Sequence, residues 1–198
     1  MITNPHALDA VKKLNEVLPK NSLVLDVGSG QKEKHAELIR QAGHTVETVD
    51  FYDNNTYTGD YNSLEIKKVY DGIWCAHCLE HQPNVQSFLK KIKSNLKEGG
   101  WLVITVPPLK HQIVSGHLSL WNAGLLLYNL IIAGFNCEDA KVKTYDYNIS
   151  IVVKNKSFEL PQLNYNYGDL ITLYDYFPKQ LERNKKGFFD GQIKELNW

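Results

Sequence analysis

Cysteine is scarce in this chain of 198 residues, and the three present cannot all pair with one another. The opening segment MITNPHALDAVKKLNEVLPK lacks the basic-then-apolar order of a secretion signal, so a disulfide framework is excluded and free thiols in a cytoplasmic protein are expected. An excess of one charge is also missing. Lysine and arginine number 22 and so do aspartate and glutamate, which removes the long-range attraction that nucleic acid or an anionic membrane would exert. Long hydrophobic runs are absent too. The longest, around Ala123 to Phe135, is interrupted by Asn129 and Gly134 and is too short to span a bilayer, so no membrane insertion is expected. No internal repeat or low-complexity linker divides the sequence, and 43% hydrophobic residues suffice for one sizeable core.

What is present is an alternation of helical and strand periods, the pattern of βαβ units in a mainly parallel, doubly wound α/β sheet. The opening segment reads as an amphipathic helix, and Ser22 to Val27 as a first strand ending at Gly28. Ala36, Leu38, Ile39 and Ala42 form a helical face closed by Gly43 in the C-cap position. Thr45 to Val49, Tyr57 to Thr58, Gly72 to Ala76 and Trp101 to Val106 read as further strands. Between the last two, Phe88, Leu89, Ile92 and Leu96 face the core from a helix expected to start at Asn84 and stop at Gly99-Gly100, with Lys90, Lys91, Lys93 and Lys97 on a solvated face. Pro107-Pro108 stops the strand before it. A helix over Leu118 to Ala133 and an antiparallel pair, Phe135 to Tyr145 and Asn148 to Lys154, follow. The expected division is residues 1–155 as the main domain, with 156–198 as an aromatic-rich extension packed on it.

In open α/β sheets ligands bind beyond the carboxyl ends of the strands, and here each such end carries usable groups. The first gives Asp26-Val27-Gly28-Ser29-Gly30, whose glycines allow tight turning and close approach of a ligand. The second ends in Asp50, a carboxylate able to accept both hydroxyls of a ribose, and the third in Asp60-Tyr61.

In this order VLDVGSG at 24 to 30, VETVD at 46 to 50, YDGIWCAHCLEH at 70 to 81 and LKEGGWLVITVP at 96 to 107 resemble the successive motifs of class I S-adenosylmethionine-dependent methyltransferases. The resemblance implies a Rossmann-like fold with a seven-stranded sheet and an antiparallel last strand. It implies S-adenosylmethionine as cofactor, with Asp26, Gly28, Ser29 and Gly30 along its methionine part and Asp50 on the ribose. It places Asp60 and Tyr61 near the adenine and Cys75, Ala76 and His77 near the sulfonium. Lys32 stands where the family often has a third glycine, so an altered first helical turn is expected. A nicotinamide-binding Rossmann protein is the rival reading, weakened by Glu33, which puts bulk and negative charge where a pyrophosphate would approach.

Other motifs carry less. His77-Cys78-Leu79-Glu80-His81 matches the H-x-x-E-H zinc pattern, but Pro83 truncates the helix that pattern needs. Cys75 and Cys78 form a C-x-x-C with no second pair, and no paired carboxylates follow the fourth or fifth strand, so no metal is expected. Val106-Pro107-Pro108-Leu109 is similar to the Pro-Pro motif of nucleic-acid amino-methylating enzymes, but it follows the wrong strand.

Methyl transfer from a sulfonium asks the protein mainly to position the acceptor and exclude water, and a hydroxyl acceptor also benefits from a general base. The candidates are His117, His77 and His81, with His111 behind them. His117 leads because HLSLWNAGLLLYNLIIAGF resembles the acceptor-side helix of small-molecule members of the family. GFFDGQIKELNW at 187 to 198 resembles the ends of bacterial methyltransferases of surface-glycan synthesis, which tilts the expected acceptor toward a sugar or other small polar molecule. A homodimer and a catalytically idle cofactor-binding interaction protein remain alternatives, and nucleic acid is not expected as a partner.

Overall fold

The computed structural model describes residues 7–198. The first six residues of the expected N-terminal helix lie outside them. Eight strands form one sheet in the order β3-β2-β1-β4-β5-β7-β6-β8. β1 (Leu23–Val27), β2 (Thr45–Asp50), β3 (Tyr57–Thr58), β4 (Tyr70–Ala76) and β5 (Leu96–Val106) run parallel. β7 (Asn148–Lys154) lies antiparallel between β5 and β6 (Lys141–Tyr145), and β8 (Glu195–Leu196) pairs antiparallel with β6. The eighth strand, beyond the seven expected, is supplied by the tail.

Alternation along the strands builds two cores. Val24 of β1, Trp74 of β4 and Val103 of β5 face helices α1 (Leu8–Val17) and α2 (Lys34–Gln41), while Leu25, Ile73 and Ile104 face α3 (Val85–Asn95) and α4 (Ala123–Ile132). The chain order reverses between β1 and β4, so the crevice beyond their carboxyl ends is the switch point where such sheets bind ligands.

Local signals place most boundaries. Asn84 caps α3 by accepting from the Ser87 N–H at 3.0 Å, and Gly43 ends α2 at φ 94°, its N–H donating to the Arg40 carbonyl. Four expectations need correction. α3 stops at Asn95, because the Asn155 amide donates to the carbonyls of Leu96 and Lys97 and draws that stretch into β5. The solvated lysine face holds only in part: Lys90 and Lys97 are exposed, but Lys91 donates to the Leu64 carbonyl and Lys93 to Asn155 Oδ1. α4 begins at Ala123 and not Leu118, since the preceding residues are not helical, Trp121 being bridged to Pro108 and Asn122 extended. The strand expected from Phe135 begins at Lys141, because the Cys137 N–H is drawn to the Tyr176 carbonyl of the tail.

The tail joins the main core. Leu173, Phe177 and Ile193 are buried in the cluster that holds α3 and α4, and Phe177 meets Phe189 edge-on at 5.1 Å. No helix among the described residues is long and apolar enough to cross a membrane.

Asp26 is 1% exposed on the α1 and α2 side of β1, and its Oδ2 has no hydrogen-bond partner. Burial, with help from the nearby Glu33 charge and against that of Arg40, raises its pKa from 3.8 to about 8. The folded chain therefore keeps a proton that the unfolded chain releases above pH 4, and stability should fall between pH 4 and 8 and level off beyond. Asp26→Asn, which mimics the protonated group, is expected to flatten that slope and raise Tm at neutral pH by roughly 5–10 °C in thermal melts across the range. Phe177→Ala should cost about 3–5 kcal/mol, measured as a shift of the urea midpoint, if the tail is part of the core.

Candidate cofactor and acceptor site

The turn after β1 carries Gly28 at φ 80° and Gly30 at φ 70°, a backbone path that side chains rarely follow. Space enforces the first glycine as well: a Cβ on Gly28 would stand 2.8 Å from the Cβ of Cys78, on the turn that follows β4. Glu33 adopts φ 42° at the N-cap of α2, so the residue in place of a glycine takes a glycine's conformation. Its carboxylate turns aside, reaching Arg40 at 2.9 Å and also accepting from Thr48 and Asn54. The charge that weakened the nicotinamide reading is thereby absorbed within the loop.

Asp50 stands at the end of β2 with one oxygen accepting from the Gly30 N–H at 2.9 Å and the other from the Phe51 N–H at 2.7 Å. The same carboxylate thus shapes the glycine turn and keeps free lone pairs toward the crevice. Asp60 anchors the next turn by accepting from Asn62 and Ser63, and although partial burial opposes the charge, these bonds hold its pKa below the usual value. Tyr61 is buried, its hydroxyl donating to Asn95 Oδ1 and its ring edge-on to Phe88 at 5.5 Å. Burial pushes its pKa up, so it serves as a neutral wall.

Gly28, Asp50, Asp60 and Tyr61 together line a crevice of about 70 Å³, joined by Phe51, Cys78, Gln82 and Phe88. That is below the ~300 Å³ at which small-ligand sites usually begin. One closure is visible: Gln82 donates to the Cys78 carbonyl and accepts from Asn62 Nδ2 at 2.9 Å, bridging the turns that follow β4 and β3. Phe51, 73% exposed beside Asp50, was missed from sequence although an aromatic directly after a strand-end carboxylate is a usable signal.

The other expected cofactor residues are placed around this crevice and not in its lining. Asp26 lies behind the sheet as described. Ser29 is buried with its hydroxyl on Asn55 Oδ1, and Cys75 and Ala76 are buried in the end of β4. His77 adopts φ 52°, a strained conformation for a residue with a side chain. Its Nε2 pairs with Asn148 Oδ1 at 2.9 Å, its Nδ1 lies 3.4 Å from Glu80 Oε1, and its ring stacks on Tyr147. Burial works to lower the His77 pKa, but Glu80 and Asn148 outweigh it and the net shift is upward.

After β4 the chain makes a single 3₁₀ turn, Leu79–His81, and Gln82 is already extended before Pro83. The H-x-x-E-H histidines therefore do not share a helix face. His81 instead meets His117, ring against ring at 4.9 Å and 89°, across the fully buried Glu80. Backbone bonds dock the second segment on the first, with the N–H groups of Leu118 and Ser119 donating to the Glu80 carbonyl.

Two cavities open beside the end of β5. One of about 180 Å³ is lined by His117, Pro108, Lys110, Trp121 and Tyr147, among others. A second of about 470 Å³ shares Pro108 and Trp121 and adds His111, Asn122, Thr144 and Lys194. Trp121 is 2% exposed and its indole N–H has no partner. His111 is exposed and joins none of the histidine contacts.

A methyltransferase-domain family model matches residues 4–137. Curated protein sequences yield no match. Among solved structures, the 1,6-didemethyltoxoflavin-N1-methyltransferase of Burkholderia thailandensis, bound to its substrate and S-adenosylhomocysteine, superposes with a TM-score of 0.61 at 17% identity, over 75% of this chain and 79% of that one. A SAM-dependent methyltransferase of Aquifex aeolicus gives 0.59 at 18%, over 74% and 89%, and one of Clostridium acetobutylicum gives 0.60 at 14%, over 75% and 90%. The fold, the strand-end residues and the family match converge: the chain belongs to the methyltransferase-domain family and is an enzyme that uses S-adenosylmethionine.

Proposed function

We propose that this methyltransferase acts on a hydroxyl of a small polar acceptor, a sugar or similar molecule such as surface-glycan synthesis provides. The observation that carries this reading is Trp121, a residue of both cavities beside β5 whose buried indole N–H has no partner. A buried donor without an acceptor costs about 1–3 kcal/mol, and a ligand oxygen brought within reach of it by a small turn of the ring would remove that cost. The indole ring adds apolar surface on which the C–H face of a sugar can rest.

In this reading S-adenosylmethionine lies across the switch point, its ribose hydroxyls on Asp50 and its adenine beside Phe51, Asp60 and Tyr61. Asp26, Ser29, Cys75, Ala76 and His77 support that site from behind, shaping the two turns. The cofactor supplies an activated methyl group, which passes to the acceptor oxygen while the sulfur keeps the bonding electron pair and the hydroxyl proton leaves to the histidines. His117, at the cavity wall, is the group that meets the acceptor; His81 holds it in place, and His77 positions Glu80. The narrow crevice means that cofactor entry opens the Gln82 bridge. The alternative is a chain that binds cofactor without turning it over.

Calorimetric titration with S-adenosylhomocysteine is expected to show saturable binding that Asp50→Ala weakens at least tenfold. Gly28→Ala should abolish it, given the 2.8 Å approach of Cys78. Labelled-methyl transfer to a panel of monosaccharides and sugar nucleotides should then identify an acceptor, with His117→Ala lowering kcat by about 10²–10⁴ and leaving S-adenosylhomocysteine affinity unchanged. Cofactor binding with no transfer to any hydroxyl acceptor would support that alternative.

A further inference from the structure

Glu80 is 0% exposed and neither of its carboxylate oxygens accepts a hydrogen bond. A buried carboxylate left in that state is costly unless a positive charge stands close by. The nearest candidates are two imidazoles, His77 Nδ1 at 3.4 Å and His81 Nε2 at 3.9 Å from Oε1. His77 Nδ1 is one partner of that carboxylate, its Nε2 being held by Asn148, and it faces Oε1 alone.

His81 is different, because its tautomer can be read. Its Nδ1 lies 2.8 Å from the Gly116 carbonyl oxygen, which can only accept, so Nδ1 carries the proton. In the neutral ring Nε2 therefore presents a lone pair, and it presents it to a carboxylate oxygen. Two acceptors facing one another repel unless something positive sits between them. An N–H held by a backbone carbonyl is also the usual support of a metal-binding imidazole, fixing its tautomer and orientation. The support is built in: Gly116 sits at φ 80°, and a Cβ there would stand 3.0 Å from His81 Nδ1.

His117 completes the group. Donor atoms of Glu80, His81 and His117 all lie within 4.8 Å of one another. Bonds of about 2.0–2.2 Å to nitrogen and oxygen span most of that separation, and a modest turn of the half-buried His117 ring closes the rest. We propose that Glu80, His81 and His117 form a binding site for a first-row divalent cation. Two imidazoles and one carboxylate suit zinc, cobalt, iron or manganese; magnesium and calcium favour all-oxygen sets.

The site lies on the outer side of the turn whose Cys78 and Gln82 line the cofactor crevice, and His117 lines the smaller cavity. The ion would thus border the acceptor cavity, and with His117 as its ligand the ion would replace the free imidazole as the group that faces the hydroxyl. That role rests on the reading of the cavity given above, whereas the binding itself does not.

The test uses the full chain freed of any affinity tag. Cobalt(II) is titrated by calorimetry and by its visible absorption, with magnesium(II) as control. One cobalt per chain is expected, with affinity falling at least tenfold in Glu80→Gln and in His117→Ala but unchanged in His111→Ala, and with no comparable magnesium binding. S-adenosylhomocysteine titration of each variant reports folding, and should Glu80→Gln fail it, the half-exposed His117→Ala decides. Absence of saturable cobalt binding, or binding that His117→Ala leaves intact or that His111→Ala removes equally, overturns the proposal. Cobalt binding that follows the expected pattern without any methyl transfer to hydroxyl acceptors would leave the cation site standing and remove the acceptor reading alone.

Discussion

Two turns meet at Gly28 and Cys78, and the rest of the site is arranged around that contact. The turn after β1 can approach the turn after β4 only because Gly28 has no side chain, and the left-handed backbone it adopts is one that glycine takes without strain. Everything at the switch point is then fixed from one side or the other. Asp50 grips the first turn through the Gly30 N–H, and Gln82 grips the second through the Cys78 carbonyl. The strained His77 begins the second turn, held by the Thr105 carbonyl and Asn148. A few hydrogen bonds at each strand end thus convert a generic parallel sheet into a crevice with fixed walls.

The same short turn serves two surfaces. Cys78 and Gln82 look toward the cofactor crevice, while Glu80 and His81 look toward the loop that brings His117. Because the 3₁₀ turn is only three residues long, a displacement on one side is transmitted to the other over a single peptide or two. Opening the Gln82 bridge for a cofactor would therefore also be felt by the histidines. Such mechanical coupling suits an enzyme whose two substrates must be held together before the methyl group moves.

The parallel half of the sheet could be read from the sequence because its signals are local: apolar runs that stop at Gly28, Asp50 and Asp60, a glycine closing α2 and an asparagine opening α3. What failed depends on partners distant in sequence. Residues 118–122 have helical spacing, but their N–H groups and carbonyls are claimed by Glu80 and Leu109. The Phe135 segment was drawn off by the tail, and β8 is a two-residue strand that no periodicity could announce. Within the site, Asp50, Asp60 and Gly28 stood out as strand ends. Glu80 did not, because the H-x-x-E-H pattern was weighed as a helical motif, and its three-dimensional meaning needs His117 from a loop 36 residues further on. Asp26 shows the opposite limit: sequence position marks it as important, but only the pleat of β1 decides that it faces away from the crevice.

The sheet ends on both sides in strands of two residues, β3 at one margin and β8 at the other. Open margins are the places where one sheet recruits another, and short ones offer few free N–H and C=O groups to a neighbour. On the β8 side, Lys143 also pairs with Asp9 at 2.9 Å and draws Trp198 against its charge, so the margin is occupied by charged and bulky groups. Continuing the sheet from β3 or β8 into a second copy is therefore disfavoured by how little backbone these two strands offer.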